Sequence, residues 1–281
     1  MKKVAMFIFF MSFCVFNLSA QMGTSCTEDS LGSSSNGKYL QQLLSPSYLK
    51  LQIEKSKNIY QGESSKDYVN LGDKALEEKK YMLAIDYYSR AIELDPNNVE
   101  AHIGKGMCYY YLANNEQAIT EFTKAIEIAP NYPNAYYGRA FVFYELRKYD
   151  EALADLNMSV KVDPNYIRGY YNRGVLYYEQ GKYSEAIADF SRVVELDSSN
   201  VDAYKYRGKA YQKLERYDQA LSDYDQAINL APTRGDLYAA KAYLYCELGD
   251  QDNYLAFINK ACSLDEAYST ECFMPNFCVK L

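Results

Sequence analysis

The chain has 281 residues, with 30 Lys and Arg against 37 Asp and Glu, and a formal net charge of -7. This acidic balance excludes nucleic-acid binding through the overall charge, which needs a basic surface, and it disfavours adhesion to anionic membranes. Because the sequence has one histidine, it also excludes His-rich metal sites and mechanisms that need two histidines.

The first twenty residues have the organisation of an export signal. Lys2 and Lys3 precede an apolar run at residues 4–16, and small residues at 19 and 20 offer a cleavage site before Gln21. The run is shorter than the roughly 20 residues that a membrane-spanning helix needs. We therefore expect residues 1–20 to be removed as a signal peptide, and the mature protein to be periplasmic or secreted from a bacterium without a membrane span. An uncleaved anchor or a buried helix is the alternative.

Residues 21–64 do not share the pattern of the rest of the chain. We predict a flexible leader at residues 21–44, because much of this stretch is Ser, Thr and Gly with few apolar side chains. Ser45 and Pro46 then form a helix start signal, and Leu49 and Ile53 lie on one face after it. We expect residues 45–64 to contain a helix that covers the exposed end of the segment that follows.

A 34-residue unit begins at Ser65, and the chain then repeats it. In each half of the first unit the apolar residues recur at helical spacing, as with Tyr68 and Ala75 in one half and Ala84 and Tyr88 in the other. A proline near the end of the unit stops the second helix. The pattern predicts six helical hairpins, at residues 65–98, 99–132, 133–166, 167–200, 201–234 and, in a degraded form, 235–268.

Small residues recur inside the units, whose positions we number from the first residue of each. Position 20 is alanine in the first five units, and position 8 is always glycine or alanine: Gly72, Gly106, Ala140, Gly174, Gly208 and Ala242. Aromatic residues at position 11 or 24 and a proline at position 32 of four units complete the pattern. With its 34-residue period, this pattern resembles the tetratricopeptide repeat family. The resemblance implies an all-α, right-handed superhelical solenoid of six hairpins, to which the flanking residues of this chain would add an N-terminal capping helix and a short C-terminal flap.

The resemblance also implies a function. We expect a non-catalytic protein-protein interaction module, with no cofactor and no metal, that binds an extended peptide or a partner helix in its concave groove. An exported protein of this kind would act as an adaptor or assembly factor of the bacterial cell envelope. The alternative is an architectural array that self-associates as a homo-oligomer and has no separate ligand. The single histidine, His102, is expected to be a packed residue.

In this family the inner surface is lined mainly by positions 2, 5, 9, 12 and 13 of the first helix of each unit. On this sequence those positions give an apolar, tyrosine-rich wall followed by a cationic patch, which would hold a segment with aromatic or aliphatic anchors and an acidic end. A solvated face is the alternative, and the segment 45–64 could itself occupy the groove. The family's clamp for a C-terminal carboxylate is not matched, because Val69 and Asp73 stand where it needs Lys and Asn. The groove residues are Ile103, Met107, Tyr110, Tyr111, Tyr137, Phe141, Tyr144, Arg168, Tyr171, Val175, Tyr178, Lys205, Lys209, Gln212 and Lys213.

Positions 7 and 23 change together from unit to unit. The first unit has Leu71 with Tyr87, whereas the next four units have a basic residue with an acidic one. This joint change predicts that the two positions are neighbours and form ion pairs. The pairs are Lys105 with Glu121, Arg139 with Asp155, Arg173 with Asp189 and Arg207 with Asp223.

Four cysteines crowd into the last unit and the residues after it. Residues 269–281 are too few for another hairpin but include several apolar side chains, so we expect them to fold back over the sixth hairpin as a flap. In an oxidising compartment disulfides would fasten this flap, with three pairings open. A zinc site is the less favoured alternative, because no Cys-x2-Cys pair is present. The cysteines are Cys246, Cys262, Cys272 and Cys278, whereas Cys108 is expected to be a packed thiol.

Overall fold

The computed structural model describes residues 64–265, which form twelve α-helices and no strand. The predictions for residues 1–20, 21–44 and 269–281, and for nearly all of 45–64, lie outside the described residues. The helices are α1 (Ser65–Glu77), α2 (Tyr81–Leu94), α3 (Val99–Tyr111), α4 (Asn115–Ile128), α5 (Pro133–Glu145), α6 (Tyr149–Val162), α7 (Ile167–Glu179), α8 (Tyr183–Leu196), α9 (Val201–Lys213), α10 (Tyr217–Leu230), α11 (Gly235–Glu247) and α12 (Gln251–Leu264).

Each odd-numbered helix packs against the helix that follows it, which makes six helical hairpins. The odd-numbered helices begin at the first residues of the 34-residue units, from Ser65 to Gly235. This arrangement confirms the predicted all-α solenoid of hairpins, while its right-handed superhelix stays a prediction. The chain divides after Ala129 into two compact parts, an N-terminal part with α1–α4 and a C-terminal part with α5–α12, which are described separately below.

Local sequence sets the helix ends. At the start of α1, the Ser64 hydroxyl accepts a hydrogen bond from the backbone N–H of Asp67, whose carboxylate accepts one from the backbone N–H of Ser64 at 2.8 Å. Asn98 and Asn200 cap α3 and α9 with their side-chain oxygens. The second helix of the first hairpin ends at Leu94, just before the Asp-Pro pair, as the sequence predicts.

A left-handed residue joins the two helices of every hairpin. Position 15 has a φ between 58° and 75° in all six hairpins. Gly181 and Gly249 adopt this conformation at no steric cost. In the other hairpins a residue with a side chain takes the same conformation: Lys79, Ala113, Arg147 and Glu215.

The two helices of a hairpin meet where position 8 faces position 24. In four hairpins an aromatic ring lies directly on a glycine: a Cβ added to Gly72 would stand 2.5 Å from Cε1 of Tyr88, and one added to Gly208 would stand 2.8 Å from Cε1 of Tyr224. In the other two hairpins position 8 is alanine and position 24 is aliphatic, so the extra methyl group is offset by a smaller partner. Those pairs are Ala140 with Leu156 and Ala242 with Ile258.

Gly72→Ala should test this size matching. The Tyr88 side chain is fully buried, and its hydroxyl donates to Asp73 at 2.7 Å, so the ring has little room to move away from a new methyl group. Overpacking of this kind costs about 1–3 kcal/mol, which exceeds the gain of up to about 1 kcal/mol in helix propensity. Urea unfolding should therefore show Gly72→Ala to be destabilising. In a Tyr88→Leu background, which recreates the Ala140 and Leu156 pair, the same change should cost much less. An equal cost in both backgrounds would contradict the size-matching explanation.

Candidate functional site

The ion pairs predicted between positions 7 and 23 are present. The guanidinium of Arg173 donates from Nε and Nη2 to the two carboxylate oxygens of Asp189, at 2.8 and 2.6 Å. Arg207 makes the same bidentate contact with Asp223, where Nε and Nη2 donate to the two carboxylate oxygens at 2.8 and 2.7 Å. Burial raises the pKa of the Asp189 carboxyl, and the hydrogen bonds and positive charge of Arg173 act in the opposite direction. The remaining two pairs, Lys105 with Glu121 and Arg139 with Asp155, are also in contact.

The same arginines also bind the preceding hairpin. The third guanidinium nitrogen of Arg173, Nη1, donates to the side-chain oxygen of Asn157 at 2.8 Å. In the same way, Nη1 of Arg207 donates to the Ser191 hydroxyl at 3.1 Å. Both acceptors stand at position 25 of the hairpin before. These arginines therefore join the two helices of one hairpin and also join that hairpin to its neighbour, so they do not form a row available to an anionic ligand.

The last hairpin makes this link with different chemistry. Its position 23 is Phe257, and the ammonium group of Lys241 lies over that ring, 4.5 Å from the centroid. The same ammonium group donates to Asp225, at position 25 of the preceding hairpin. A cation-π contact thus replaces the ion pair, and the link to the neighbouring hairpin is kept.

A double-mutant cycle at Arg173 and Asp189 should separate the ion pair from simple packing. Arg173→Leu leaves the carboxylate of Asp189 buried without its partner, which should cost about 3–5 kcal/mol in unfolding free energy. Adding Asp189→Tyr recreates the Leu71 and Tyr87 pair of the first hairpin and should recover a large part of that loss. Arg90, whose pair with Glu93 is exposed, provides the control, because Arg90→Ala should cost no more than about 1 kcal/mol. If the double variant is less stable than Arg173→Leu, the pair does not act as a unit.

His102 is a buried structural residue, as the sequence predicts. Its Nδ1 lies 2.7 Å from Oε2 of Glu121, and its Nε2 lies 3.3 Å from the carbonyl oxygen of Pro96. Burial alone would raise the pKa of Glu121, but hydrogen bonds from His102 and Lys105 outweigh it and lower that pKa. Within residues 64–265 no group of three or more His, Cys, Asp or Glu side chains is arranged to hold a metal ion.

The predicted groove positions of the C-terminal part meet across neighbouring first helices. The hydroxyl of Tyr144 on α5 donates to the carboxylate of Glu179 on α7 at 2.8 Å, and the rings of Tyr171 on α7 and Tyr206 on α9 meet edge to face at 6.0 Å. Burial and the Glu179 carboxylate raise the pKa of Tyr144 to about 12. We call this surface the aromatic face, which we define by Tyr137, Phe141, Tyr144, Tyr171, Val175, Tyr178, Lys205, Tyr206, Lys209, Gln212 and Tyr243.

The rings of the aromatic face differ in how much they expose. The ring of Tyr206 is stacked on the fully buried ring of Phe190 at 5.7 Å and meets the half-buried ring of Tyr178 at 6.2 Å, so these three rings hold one another in one cluster. At position 9, by contrast, Phe141 is 38% exposed and Tyr243 is 37% exposed. The position 9 rings therefore offer the most apolar surface to a partner.

Tyr206 and Tyr243 are missing from the set of residues predicted from the sequence. Tyr243 would have been found by applying the position 9 rule to the degraded sixth unit as well. Tyr206 stands at position 6, which is not among the family's main groove positions, and its place in the ring cluster depends on contacts between two hairpins.

One of the three lysines of the predicted cationic patch is neutralised, which corrects the expectation from the sequence. The ammonium group of Lys205 lies between Asp202 at 3.1 Å and Asp236 at 2.9 Å, and Arg234 binds both of those carboxylates as well. The hydrogen bond from Arg234, with further help from Lys205, lowers the pKa of Asp236 to about 2.

Lys209 is not neutralised in the same way. Among the residues described it has no carboxylate within ion-pair distance, and its ammonium group lies 5.4 Å from the centroid of the Tyr206 ring. Burial and the nearby charge of Lys205 lower the pKa of Lys209. Lys213 is exposed at the end of α9, so the patch offers two free cations rather than three.

Other predicted groove residues are not included in the aromatic face as defined here. Ile103, Met107, Tyr110 and Tyr111 belong to α3 in the N-terminal part, where Tyr111 is 51% exposed and stacks on the ring of Tyr81 at 5.0 Å. Arg168 is exposed in the first turn of α7.

Sequence profiles of one repeat family match the chain from residue 65 to residue 234. A profile described as TPR repeat matches residues 106–147, 142–181 and 174–215. Two profiles described as tetratricopeptide repeat match residues 65–98 and 201–234, and residues 87–120. The chain belongs to the tetratricopeptide repeat family. Proteins of this family mediate protein-protein interactions and are typically non-catalytic.

Solved tetratricopeptide structures share the fold. PilF of Pseudomonas aeruginosa is 18% identical with a TM-score of 0.64, and covers 74% of this chain and 96% of its own. PilW, a type IV pilus biogenesis factor, is 19% identical with a TM-score of 0.64, at 75% and 97% coverage. MamA is 24% identical with a TM-score of 0.52, at 61% and 94% coverage. A search of curated protein sequences gave no significant match. None of the helices within residues 64–265 has the length and apolar character needed to span a membrane.

Proposed function

We propose that this tetratricopeptide repeat protein is a non-catalytic adaptor or assembly factor of the bacterial cell envelope. It binds an extended peptide or a partner helix along the aromatic face. The observation that supports this proposal best is the pair of exposed position 9 rings, Phe141 on α5 and Tyr243 on α11, together with the ammonium group of Lys209 at the same position of α9.

The aromatic face has the chemistry of a protein-binding surface. Aromatic side chains on helices lose little conformational freedom when a partner covers them, and such residues supply much of the binding energy in protein interfaces. The ring cluster around Tyr206 joins α7, α8 and α9, which lie in the chain between the helices that carry Phe141 and Tyr243. Lys209 adds a directional element, because its ammonium group favours an acidic residue of the partner beside the rings.

The proposed location depends on the sequence of residues 1–20, which has the basic start, apolar run and small residues of an export signal. The fold is compatible with an assembly role, since PilW is described as a type IV pilus biogenesis factor. Capture of partners from an envelope extract by the immobilised mature protein tests the proposal directly. Peptides selected from a random-sequence library by the same protein then serve as defined probes for affinity measurements.

Truncating the exposed rings should weaken binding without loss of stability. We expect Phe141→Ala combined with Tyr243→Ala to reduce the affinity for peptides selected from the library by about 2 kcal/mol or more, as measured by fluorescence anisotropy. Leu230→Ala removes a similarly exposed apolar side chain, 38% exposed at the end of α10, and should leave affinity unchanged. If the ring variants bind like the wild type, the aromatic face is not the site.

The charge of Lys209 should act mainly on the rate of association. Lys209→Gln is expected to slow association and flatten its salt dependence, whereas Lys213→Gln, on the same helix but at its exposed end, should have a smaller effect. Stopped-flow measurements over a salt series check both variants. Sedimentation over a concentration series addresses the architectural alternative: self-association together with an absence of captured partners would overturn the adaptor proposal.

A further inference from the structure

Two positions of a hairpin touch the first helix of the hairpin that follows. At position 28, the Val160 side chain lies against the first turn of α7, where a Cβ added to Gly169 would stand 2.8 Å from Cγ1 of Val160. At position 12, the hydroxyl of Tyr144 donates to Glu179, the last residue of α7, at 2.8 Å. Positions 28 and 12 therefore mark the beginning and the end of the following first helix.

In the last hairpin both of these positions are cysteines. Cys262 stands at position 28, on α12, and Cys246 stands at position 12, on α11. Both are disulfide-bonded, while Cys108 is a free, buried thiol. The other cysteines of the chain are Cys14, Cys26, Cys272 and Cys278.

We propose that residues 272–278 lie where the first helix of a following hairpin would lie, fastened at both ends by disulfides. Cys262 pairs with Cys272, and Cys246 pairs with Cys278. The order follows from chain direction: a following first helix runs from the position 28 end to the position 12 end, and the chain leaves α12 beside Cys262. The crossed pairing, Cys262 with Cys278 and Cys246 with Cys272, would make the segment run in the opposite direction across the hairpin.

The lengths agree with this placement. Gly169 and Glu179 are ten residues apart in α7, which corresponds to a rise of about 15 Å. Cys272 and Cys278 are six residues apart and span at most about 20 Å when extended. Each disulfide adds a Cα to Cα separation of roughly 5–6 Å. The segment thus reaches both anchors, and it carries Phe273, Met274 and Phe277 to cover the apolar side chains beneath it.

This placement assigns the C-terminal end of the hairpin array to the chain's own segment. With the segment in place, neither a partner nor a second copy of the chain can dock on that end. The aromatic face is a separate surface, so this inference does not depend on the proposed function.

Disulfide mapping of the full, non-reduced mature protein tests the pairing. Trypsin leaves Cys262, Cys272 and Cys278 together in residues 261–280, so digestion with Glu-C followed by chymotrypsin is needed to cut between Cys272 and Cys278, after Phe273 and Phe277. Mass spectrometry should find Cys262 linked to Cys272 and Cys246 linked to Cys278. The crossed pairing, a link between Cys246 and Cys262, a link from either anchor to Cys26, or free thiols at these positions would overturn the proposal.

Hydrogen exchange tests whether the segment covers the hairpin. Cys246→Ser combined with Cys278→Ser should accelerate amide exchange in α11 and α12 at least tenfold, with α7 and α8 unchanged. Cys26→Ser is the control and should leave exchange as in the wild type. If the double variant exchanges like the wild type, the segment does not cover this surface, and the proposal fails even if the pairing is as stated.

Discussion

The close approach of the two helices in each hairpin depends on the side chains at positions 8 and 24. A ring is accommodated only where the facing helix has no Cβ, as with Gly208 beneath Tyr224, and a methyl group is accommodated only opposite an aliphatic residue. At native packing density there is no room for large side chains at both position 8 and position 24. The combined size of these two side chains therefore sets the distance between the helices. That separation in turn places position 7 within reach of position 23, so the ion pairs follow from the packing rather than create it.

In the first helix of each hairpin, some positions pack against the second helix and others are exposed. Positions 7 and 8 face the second helix, where Arg173 is held by Asp189 and Gly174 lies beneath the ring of Phe190. Position 9 is more exposed, as with Phe141 and Tyr243, whereas rings at positions 5 and 12 also contact the second helix: Tyr171 meets Phe190, and Tyr144 meets Tyr149. Position 9 can therefore change from Phe141 on α5 to Lys209 on α9 while the packing underneath keeps the same pattern.

Periodicity predicts the hairpins and the ion pairs, because both repeat every 34 residues and can be compared within the chain. It does not predict the left-handed residue at position 15, where Lys79 and Glu215 adopt the conformation that Gly181 favours. Local sequence is uninformative there, since the surrounding helices impose the turn and the residue accepts the strain. The sequence of one unit also does not predict the neutralisation of Lys205, because one of its partners, Asp236, belongs to the next unit. Contacts between units therefore decide the electrostatics of the site.

The junctions between hairpins are individual, although the units look equivalent in sequence. The ring of Tyr88 presses on Gly104 of the next hairpin, the ring of Phe190 stacks on Tyr206, and Tyr224 packs with Ala240. At these three junctions the side chain at position 24 is thus matched to position 6 of the following hairpin. A duplication that placed the fifth unit directly after the first would set Tyr88 against Tyr206. The order of the units is therefore part of the folding information, and the array cannot be rearranged by recombination as a string of interchangeable modules.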